Sequence, residues 1–261
     1  MRLSIITINY NNKQGLQKTI DSVISQTFKD FEWIVIDGGS TDGSKELIEK
    51  NQKNITYWCS EPDNGVYHAM NKGIARLRGS YVLFLNSGDW LIDDNVLKTF
   101  VETNPMEDIV YGYVEREIEG VQQRLKGFLH QDTITMVDLY YRTIPHQGTF
   151  FKTNLFQRFG VYDENLKILA DRKFYVESII YGDASVKFIP FSISYFDAGG
   201  ISGTSIYEEE KKKVLGELFP PRVYQELQNA KAVREIRQYP IFRVMYSILY
   251  RAAVWYAGIW R

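Results

Sequence analysis

A carboxylate that follows an apolar run has the clearest chemical meaning in this sequence. Residues 81–85 read Tyr-Val-Leu-Phe-Leu, typical of a buried strand, and residues 86–89 follow at once as Asn-Ser-Gly-Asp. Gly88 permits a tight turn that would direct Asp89 back over the strand end. Mg²⁺ and Mn²⁺ bind phosphates together with one or two carboxylates. We therefore predict that Asp89 binds a metal ion that holds a diphosphate; the alternative is that Asp89 caps a helix predicted over 93–100.

Polar residues also end two earlier predicted strands. The first strand ends with Thr7, Asn9 and Tyr10, and the second is followed by Asp37. In α/β sheets, ligands bind at the carboxyl ends of strands, and an aspartate there can accept a hydrogen bond from a ribose hydroxyl or a pyrimidine N–H. These residues therefore predict a nucleoside crevice. The alternative is that residues 37–44 only form a turn and a helix cap, which favour the same residue types.

A candidate phosphate site follows the third predicted strand. Asp63 lies in a turn, the next helix begins near Val66, and Asn71 and Lys72 lie about a turn and a half into it. The N-terminus of a helix attracts anions, and a lysine could neutralise a diphosphate. We therefore predict that Asp63, Asn71 and Lys72 contact the same ligand. Lys72 could instead be a solvated surface residue.

Strands and helices alternate four times before residue 92, with short connections. This order predicts an α/β fold with a Rossmann-like, mostly parallel central sheet flanked by helices. Further along, we predict a hairpin over 109–128 that turns near Glu119 and Gly120, a strand at 148–152, and a helix over 170–181. Two charged helices, predicted over 207–219 and 222–238, form a C-terminal helical appendage.

The bulk composition excludes several classes of protein. The formal net charge is −1, so nothing global predicts a nucleic-acid partner. A single cysteine, Cys59, excludes an internal disulfide. The N-terminus lacks the apolar region of a signal peptide, and no run reaches the roughly 18 apolar residues of a spanning helix. We therefore predict a cytoplasmic protein.

Four segments resemble the nucleotide-sugar half of family 2 glycosyltransferases with the GT-A fold, above all bacterial members that build capsule, exopolysaccharide or O-antigen: 4–11, 35–44, 60–74 and 84–91. The resemblance implies inverting transfer from a nucleoside-diphosphate sugar, usually with Mn²⁺ or Mg²⁺. It implies that the metal is bound by Asp89 and that the nucleotide is lined by Thr7, Asn9, Asp37 and Asp63. The Asp-x-Asp metal motif of the family is represented here by residues 86–89 with one carboxylate. We include Asn86 among the donor contacts, and metal dependence is an open question.

The resemblance extends over about 3–205. We predict a GT-A domain over 1–205, with a donor half of about 1–92 and an acceptor half of about 93–205, and a helical region over 206–261. Residues 169–175 resemble the segment that carries the catalytic base of the family, which makes Asp171 the candidate base for the acceptor hydroxyl. Asp171 could alternatively be a helix N-cap. Asp163 and Glu164 are the competing carboxylates, although their segment is typical of a loop after a helix stop.

Two further segments resemble acceptor-side elements of the family. Residues 145–150 include His146, predicted to hydrogen-bond an acceptor hydroxyl or a phosphate, although a lone histidine is often structural. The glycine-rich residues 197–202 correspond to a loop that closes over the donor, or form an ordinary turn.

The tail 239–261 is rich in aromatic residues and carries one polar stripe of Arg243, Ser247 and Arg251. This pattern suits the membrane–water interface and predicts peripheral contact with the inner face of the cytoplasmic membrane. A helix that docks on protein would show the same pattern.

Together these observations predict an inverting glycosyltransferase that moves a sugar, with a UDP-sugar as the favoured donor, to a saccharide or lipid-linked acceptor in bacterial surface polysaccharide synthesis. Two alternatives stay open at this point. A sugar-phosphate nucleotidyltransferase would typically have a glycine-rich basic loop after its first strand, where residues 9–13 have none. A non-catalytic nucleotide-sugar-binding subunit would explain the reduced metal motif.

Overall fold

The computed structural model describes residues 2–118, 121–125, 129–196 and 206–237. Its strands are β1 (Leu3–Asn9), β2 (Phe31–Asp37), β3 (Tyr57–Ser60), β4 (Tyr81–Phe84), β5 (Trp90–Leu91), β6 (Ile109–Ile118), β7 (Val121–Arg124), β8 (Thr149–Lys152) and β9 (Val186–Tyr195). Its α-helices are α1 (Lys13–Ile24), α2 (Ser44–Asn51), α3 (Val66–Ile74), α4 (Val96–Glu102), α5 (Met136–Tyr141), α6 (Leu155–Phe159), α7 (Ala170–Tyr175), α8 (Ile206–Leu218) and α9 (Pro221–Arg237). A 3₁₀ turn (His146–Gly148) precedes β8, and α7 continues as a π-helix (Val176–Tyr181).

The strands form one sheet in the order β3-β2-β1-β4-β8-β6-β9-β5, and β7 pairs with β6. The first four strands pair in parallel, so the predicted parallel arrangement is confirmed for the donor half. In the other half, β8 pairs antiparallel with both β4 and β6. The register of β1 against β2 brings Asn9 directly opposite Asp37.

The helices pack on this sheet through the faces that their apolar residues define. Helix α1 buries Leu16, Ile20 and Val23, which recur at helical spacing. Helix α3 approaches β1 so closely that a Cβ atom at Gly73 would lie 2.7 Å from the Ile6 side chain. The strand ends are therefore held between two helices whose positions the core fixes.

The acceptor half contains pairings that the sequence pattern does not reveal. We predict separate strands at 186–190 and 192–196, whereas β9 is continuous and its parallel pairing with β6 shifts register between Tyr111 and Val114. The short strand β5 pairs antiparallel with β9, which places Trp90 opposite Tyr195. The predicted hairpin is present, because Ile118 pairs with Val121, but its turn at 119–120 lies outside the described residues.

The chain divides into two compact units, Met1–Val214 and Leu215–Arg261. The predicted domain boundary at 205 precedes this division, which falls within α8. In the second unit, α9 begins at Pro221, a favourable residue for the first turn of a helix. The predicted loop at 197–202 and the tail at 239–261 lie outside the described residues. Among the helices that the structure describes, none is long and apolar enough to cross a bilayer.

Candidate active site

The predicted nucleoside corner is a hydrogen-bond network around Asp37 at the ends of β1, β2 and β3. Asp37 Oδ1 accepts from Asn9 Nδ2 (2.7 Å) and Ser40 Oγ (2.6 Å), and Oδ2 accepts from Ser40 N (2.9 Å) and Ser60 Oγ (2.6 Å). Burial raises the pKa of this carboxyl, but the hydrogen bonds from Ser40, Ser60 and Asn9 outweigh it and lower the pKa overall. These bonds fill the roughly four acceptor positions of a carboxylate. Asp37 therefore shapes the corner, and a ribose hydroxyl would have to replace one of its partners.

Thr7 and Tyr10 lie in different surroundings, although both belong to the end of β1. The Thr7 side chain is fully buried, and its hydroxyl accepts a hydrogen bond from Trp33 Nε1 at 3.0 Å. The predicted nucleotide contact of Thr7 is therefore not what the geometry supports, because the side chain belongs to the core. Tyr10, by contrast, is 66% exposed and available to a ligand.

Two predicted donor contacts, Asp63 and Tyr10, pack against the backbone after β2. A Cβ atom added at Gly38 would lie 2.6 Å from Asp63 Oδ2 and 3.2 Å from Tyr10 Cδ2. Asp63 Oδ1 accepts from Gly65 N at 2.9 Å, and Gly65 has a φ of 113° that favours glycine. Asp63 and Tyr10 therefore both lie close to Gly38, beside the end of β2.

The turn at 86–89 is fixed firmly to the donor half. Asp89 N donates to Asn86 O at 2.9 Å, and Gly88 has a φ of 102°, which confirms the predicted tight turn. The Thr19 hydroxyl of α1 accepts from Gly88 N (3.1 Å) and donates to Asp89 O (2.7 Å). Asp89 is 4% exposed. The capping alternative for Asp89 is wrong, because α4 begins only at Val96.

The donor set of this turn fits a cation that is shared with a ligand. Among the residues that the structure describes, no three His, Cys, Asp or Glu side chains gather as a protein-only metal site would require. Asn86 Oδ1 is buried and lacks a hydrogen-bond partner. The Asp89 carboxylate and this amide oxygen are hard donors that suit Mg²⁺ or Mn²⁺, with phosphate oxygens and water as further ligands.

Asp171 lies at the start of α7, and a histidine connects it to this turn. Asp171 Oδ2 is 3.3 Å from His146 Nδ1, and His146 Nε2 is 3.3 Å from Asn86 Nδ2. Both ring nitrogens thus have protein partners, which differs from the acceptor contact predicted for His146. The Asp171 side chain is 16% exposed, so a substrate can reach it. The predicted base, donor-side amide and histidine therefore form one contiguous group.

A tyrosine from α3 completes the surroundings of Asp171. Tyr67 Oη donates to Ile168 O at 2.6 Å and lies 3.4 Å from Asp171 Oδ1. Burial, followed by the charge of Asp171, raises the pKa of Tyr67 well above its ordinary value. The phenol therefore stays protonated and remains a hydrogen-bond donor.

The segment before α7 is held by a residue of α8. The Glu210 carboxylate accepts from the backbone N–H groups of Lys167 (2.6 Å), Ile168 (2.8 Å) and Leu169 (2.9 Å). Next to Asp171, the buried Arg172 guanidinium donates to the carbonyls of Leu139, Tyr140 and Arg142. Helices α5 and α8 therefore fix both sides of the segment that carries Asp171.

Asn71 and Lys72 have protein partners of their own. Asn71 Nδ2 donates to Tyr162 O (2.8 Å) and Glu164 Oε1 (2.8 Å), and Asn71 Oδ1 accepts from Tyr162 N (3.0 Å). Asn71 thus fastens the loop after α6, which does not support its predicted donor contact. Lys72 pairs with Glu61 at 2.8 Å, and this hydrogen bond raises the pKa of Lys72. A diphosphate would have to compete for Lys72 with this partly exposed ion pair.

Comparison with known families identifies the chain. The model of "Glycosyl transferase family 2" matches residues 4–163. The chain belongs to this family. It is therefore a glycosyltransferase, and the nucleotidyltransferase and non-catalytic alternatives are set aside.

Two relatives are similar in sequence to this glycosyltransferase over most of its length. An uncharacterised glycosyltransferase of Mycobacterium tuberculosis (strain CDC 1551 / Oshkosh) is 31% identical over 221 residues, which cover 83% of this chain and 81% of the relative. A PGL/p-HBAD biosynthesis glycosyltransferase of Mycobacterium bovis (strain BCG / Pasteur 1173P2) is 30% identical over 218 residues, covering 81% of this chain and 83% of the relative.

Solved structures show the fold. Residues 1–349 of TarS from S. aureus, in complex with UDP-GlcNAc, align with a TM-score of 0.68 at 19% identity, over 84% of this chain and 65% of that one. A mannosyltransferase from Pyrobaculum calidifontis, in complex with GDP-Man and Mn²⁺, aligns with a TM-score of 0.59 at 14% identity, over 97% and 80% of the two chains. The GT-A fold predicted for this glycosyltransferase is confirmed.

Several residues of the site were not predicted from the sequence of this glycosyltransferase. Ser40 and Ser60 complete the Asp37 network, Thr19 fixes the turn at 86–89, and Tyr67 and Glu210 contact Asp171 and the segment before it. Ser40 lies in a segment already read as a turn, and a partner for a buried Asp37 could have been sought there. The others act across long separations, such as 70 residues between Thr19 and Asp89.

Proposed function

We propose that this enzyme transfers a sugar from a nucleoside-diphosphate donor to a hydroxyl of a saccharide or lipid-linked acceptor, with inversion at the anomeric carbon. The observation that carries the proposal is the Asp171 carboxylate, exposed enough to meet a substrate and linked through one histidine to the Asn86–Asp89 turn. An inverting reaction requires a base on the acceptor side and a diphosphate site on the donor side. These two groups supply that pair.

Asp171 acts as the general base in this proposal. It takes the proton of the acceptor hydroxyl while the oxygen attacks the anomeric carbon from the face opposite the diphosphate. The bond between the anomeric carbon and the diphosphate oxygen breaks, and the nucleoside diphosphate leaves with its electron pair. One displacement of this kind inverts the configuration.

The donor occupies the strand ends in this proposal. Tyr10 and Asp63 contact the nucleoside above Gly38, and Asn9 and Asp37 support the corner beneath it. Asp89, with Asn86, would hold Mn²⁺ or Mg²⁺ on the diphosphate. When bound, such a cation neutralises the charge that develops on the leaving group. Support comes from the manganese in the Pyrobaculum mannosyltransferase structure.

We infer that the donor is a UDP-sugar and that the pathway builds a bacterial surface polysaccharide. The UDP-GlcNAc in the TarS complex supports the nucleotide, although the mannosyltransferase structure holds GDP-Man. The PGL/p-HBAD biosynthesis relative supports a pathway that consumes sugar donors. A lipid-linked acceptor would agree with peripheral membrane contact of residues 239–261 at the cytoplasmic face.

Calorimetric titration with UDP, GDP and dTDP, each with and without Mn²⁺, tests the donor site. We expect one nucleotide to bind more tightly with Mn²⁺ than without it. The Asp89→Asn substitution should remove this metal-dependent gain in affinity. Asp93→Asn, which changes an exposed carboxylate after the same turn, is the matched control and should bind as the wild type does. Equal affinities with and without Mn²⁺ would contradict the metal role, and the lack of any nucleotide binding would contradict the donor site.

A further inference from the structure

We propose that His146 is the positioning residue of Asp171: it donates from Nδ1 to the Asp171 carboxylate, and Asn86 selects the tautomer that can do so. This inference rests on the proposed function, because it assigns a role within the same site. It replaces the acceptor contact that the sequence predicts for His146.

The hydrogen-bond partners determine the tautomer. With Asn86 Nδ2 facing His146 Nε2, the amide donates and the ring nitrogen must accept. A neutral imidazole whose Nε2 accepts carries its hydrogen on Nδ1, which is the nitrogen 3.3 Å from Asp171 Oδ2. The opposite amide orientation would require a hydrogen on Nε2, and in a neutral ring Nδ1 would then direct a lone pair at the carboxylate. Only the first arrangement gives the neutral ring a complementary partner on each side.

The Asp171 carboxylate is held from both of its oxygens. Oδ1 accepts from Arg172 N at 2.7 Å and lies 3.4 Å from Tyr67 Oη, while Oδ2 faces His146 Nδ1. A carboxylate anchored only through Oδ1 could still rotate about its terminal torsion. The His146 contact therefore fixes the plane of the base, and Oδ2 retains acceptor capacity for a substrate hydroxyl.

His146 lies on a rigid support. Gly148 N donates to Pro145 O at 3.1 Å, and the buried Thr149 hydroxyl donates to the same carbonyl at 2.7 Å. Ser194 Oγ of β9 donates to Gln147 O at 2.7 Å. The turn that carries His146 is thus fastened at its start, its middle and its end. Residues on such supports are suited to orienting a neighbouring group.

This arrangement predicts which measured quantity will change when His146 is replaced. His146 contacts the base and a donor-side amide, whereas the nucleoside corner is built from other residues. Removal of the Nδ1–H donor should therefore lower kcat and leave the affinity for the nucleotide nearly unchanged.

Two amide substitutions separate the two nitrogens of the ring. The amide nitrogen of an asparagine can stand where Nδ1 stands, whereas the longer glutamine reaches the position of Nε2. We expect His146→Gln to lower kcat by about 10- to 100-fold, and His146→Asn to restore most of that loss. Nucleotide affinity by calorimetry and the melting temperature should match the wild type in both variants. Equal losses of kcat in both variants, or an effect confined to KM for the donor, would overturn the proposal.

The tautomer can be measured directly by ¹⁵N NMR of the imidazole rings. The chain has three histidines, so spectra of His146→Gln assign the signal of His146. We expect a protonated Nδ1 and an unprotonated Nε2 at neutral pH in the wild type, and a protonated Nε2 would overturn the proposal. This measurement needs no activity. A wild type that transfers no sugar would contradict the proposed function, whereas a wrong tautomer in an active enzyme would contradict only the role of His146.

Discussion

The predicted nucleoside corner and the proposed base, Asp171, are held in opposite ways. The corner consists of side chains at the ends of neighbouring parallel strands, where Asn9 and Asp37 are opposite each other in register and bond directly. Asp171 depends on separate parts of the chain, since Tyr67 lies 104 residues away and His146 25 residues away. The corner therefore forms whenever the sheet forms, whereas the base is oriented only when several segments have docked.

This contrast predicts that catalysis and donor binding can be separated by mutation. Changes around Asp171 should lower the rate of transfer without weakening nucleotide binding. Changes in the corner should lower the stability of the fold and the affinity for the donor.

The largest effect on transfer is expected for Asp171→Asn. The amide cannot accept the proton of the acceptor hydroxyl, so kcat should fall by about 10²- to 10⁴-fold. Nucleotide affinity in the presence of Mn²⁺ should stay within about twofold, because every contact of the corner is retained. Steady-state kinetics and calorimetry on the same preparation measure both quantities.

Asp163→Asn is the matched control for Asp171→Asn. Asp163 is a nearby carboxylate in sequence that pairs with Lys173 at 2.7 Å, and it has no role in the proposed reaction. Its substitution removes one anchor of α7, so kcat should fall far less than in Asp171→Asn. Near wild-type transfer by Asp171→Asn, or an equal loss in the control, would contradict the assignment of the base.

A smaller effect is expected for Glu210→Ala. This change leaves the N–H groups of residues 167–169 without their carboxylate, so the segment before α7 should loosen and kcat should fall by about tenfold, with unchanged nucleotide affinity. Glu209→Ala removes an exposed carboxylate from the same helix and should have little effect on kcat. If Glu210→Ala weakened nucleotide binding as much as it slowed transfer, the two regions would not be independent.

The contrast also explains what the sequence could predict. Apolar runs and short connections predicted the parallel strands, and Gly88 predicted the tight turn of residues 86–89. Both features depend on residues that are neighbours in the sequence. Asp171 was predicted from position and resemblance at the start of a helix, and α7 does begin at Ala170.

The features that the sequence did not predict are contacts between distant segments. Asn71 was read as a donor contact because it lies near a helix start, yet it bonds to Tyr162, 91 residues away. His146 lies in a segment whose pattern gives no sign that its ring reaches Asn86. Thr7 differs from these two residues, because it lies two residues before the end of its strand. Its hydroxyl accepts a hydrogen bond from Trp33 Nε1 inside the core.

The smallest effect is expected at Asp37 and concerns stability. The folded structure lowers the pKa of this carboxyl, because hydrogen bonds from Ser40, Ser60 and Asn9 outweigh the effect of its burial. A group with a lowered folded pKa adds stability above its unfolded pKa of about 3.9 and loses that contribution as the pH falls through the folded value. The free energy of unfolding of the wild type should thus exceed that of Asp37→Asn by about 1 kcal/mol at neutral pH, and the difference should shrink as the pH falls below about 4. Urea unfolding of both proteins across this range measures the difference, with Asp30→Asn, an exposed carboxylate just before β2, as the control that should show no such trend. A difference that grew as the pH fell would mean that the corner is not held by an ionised Asp37, and the donor region would then lack the self-contained network that distinguishes it from the base.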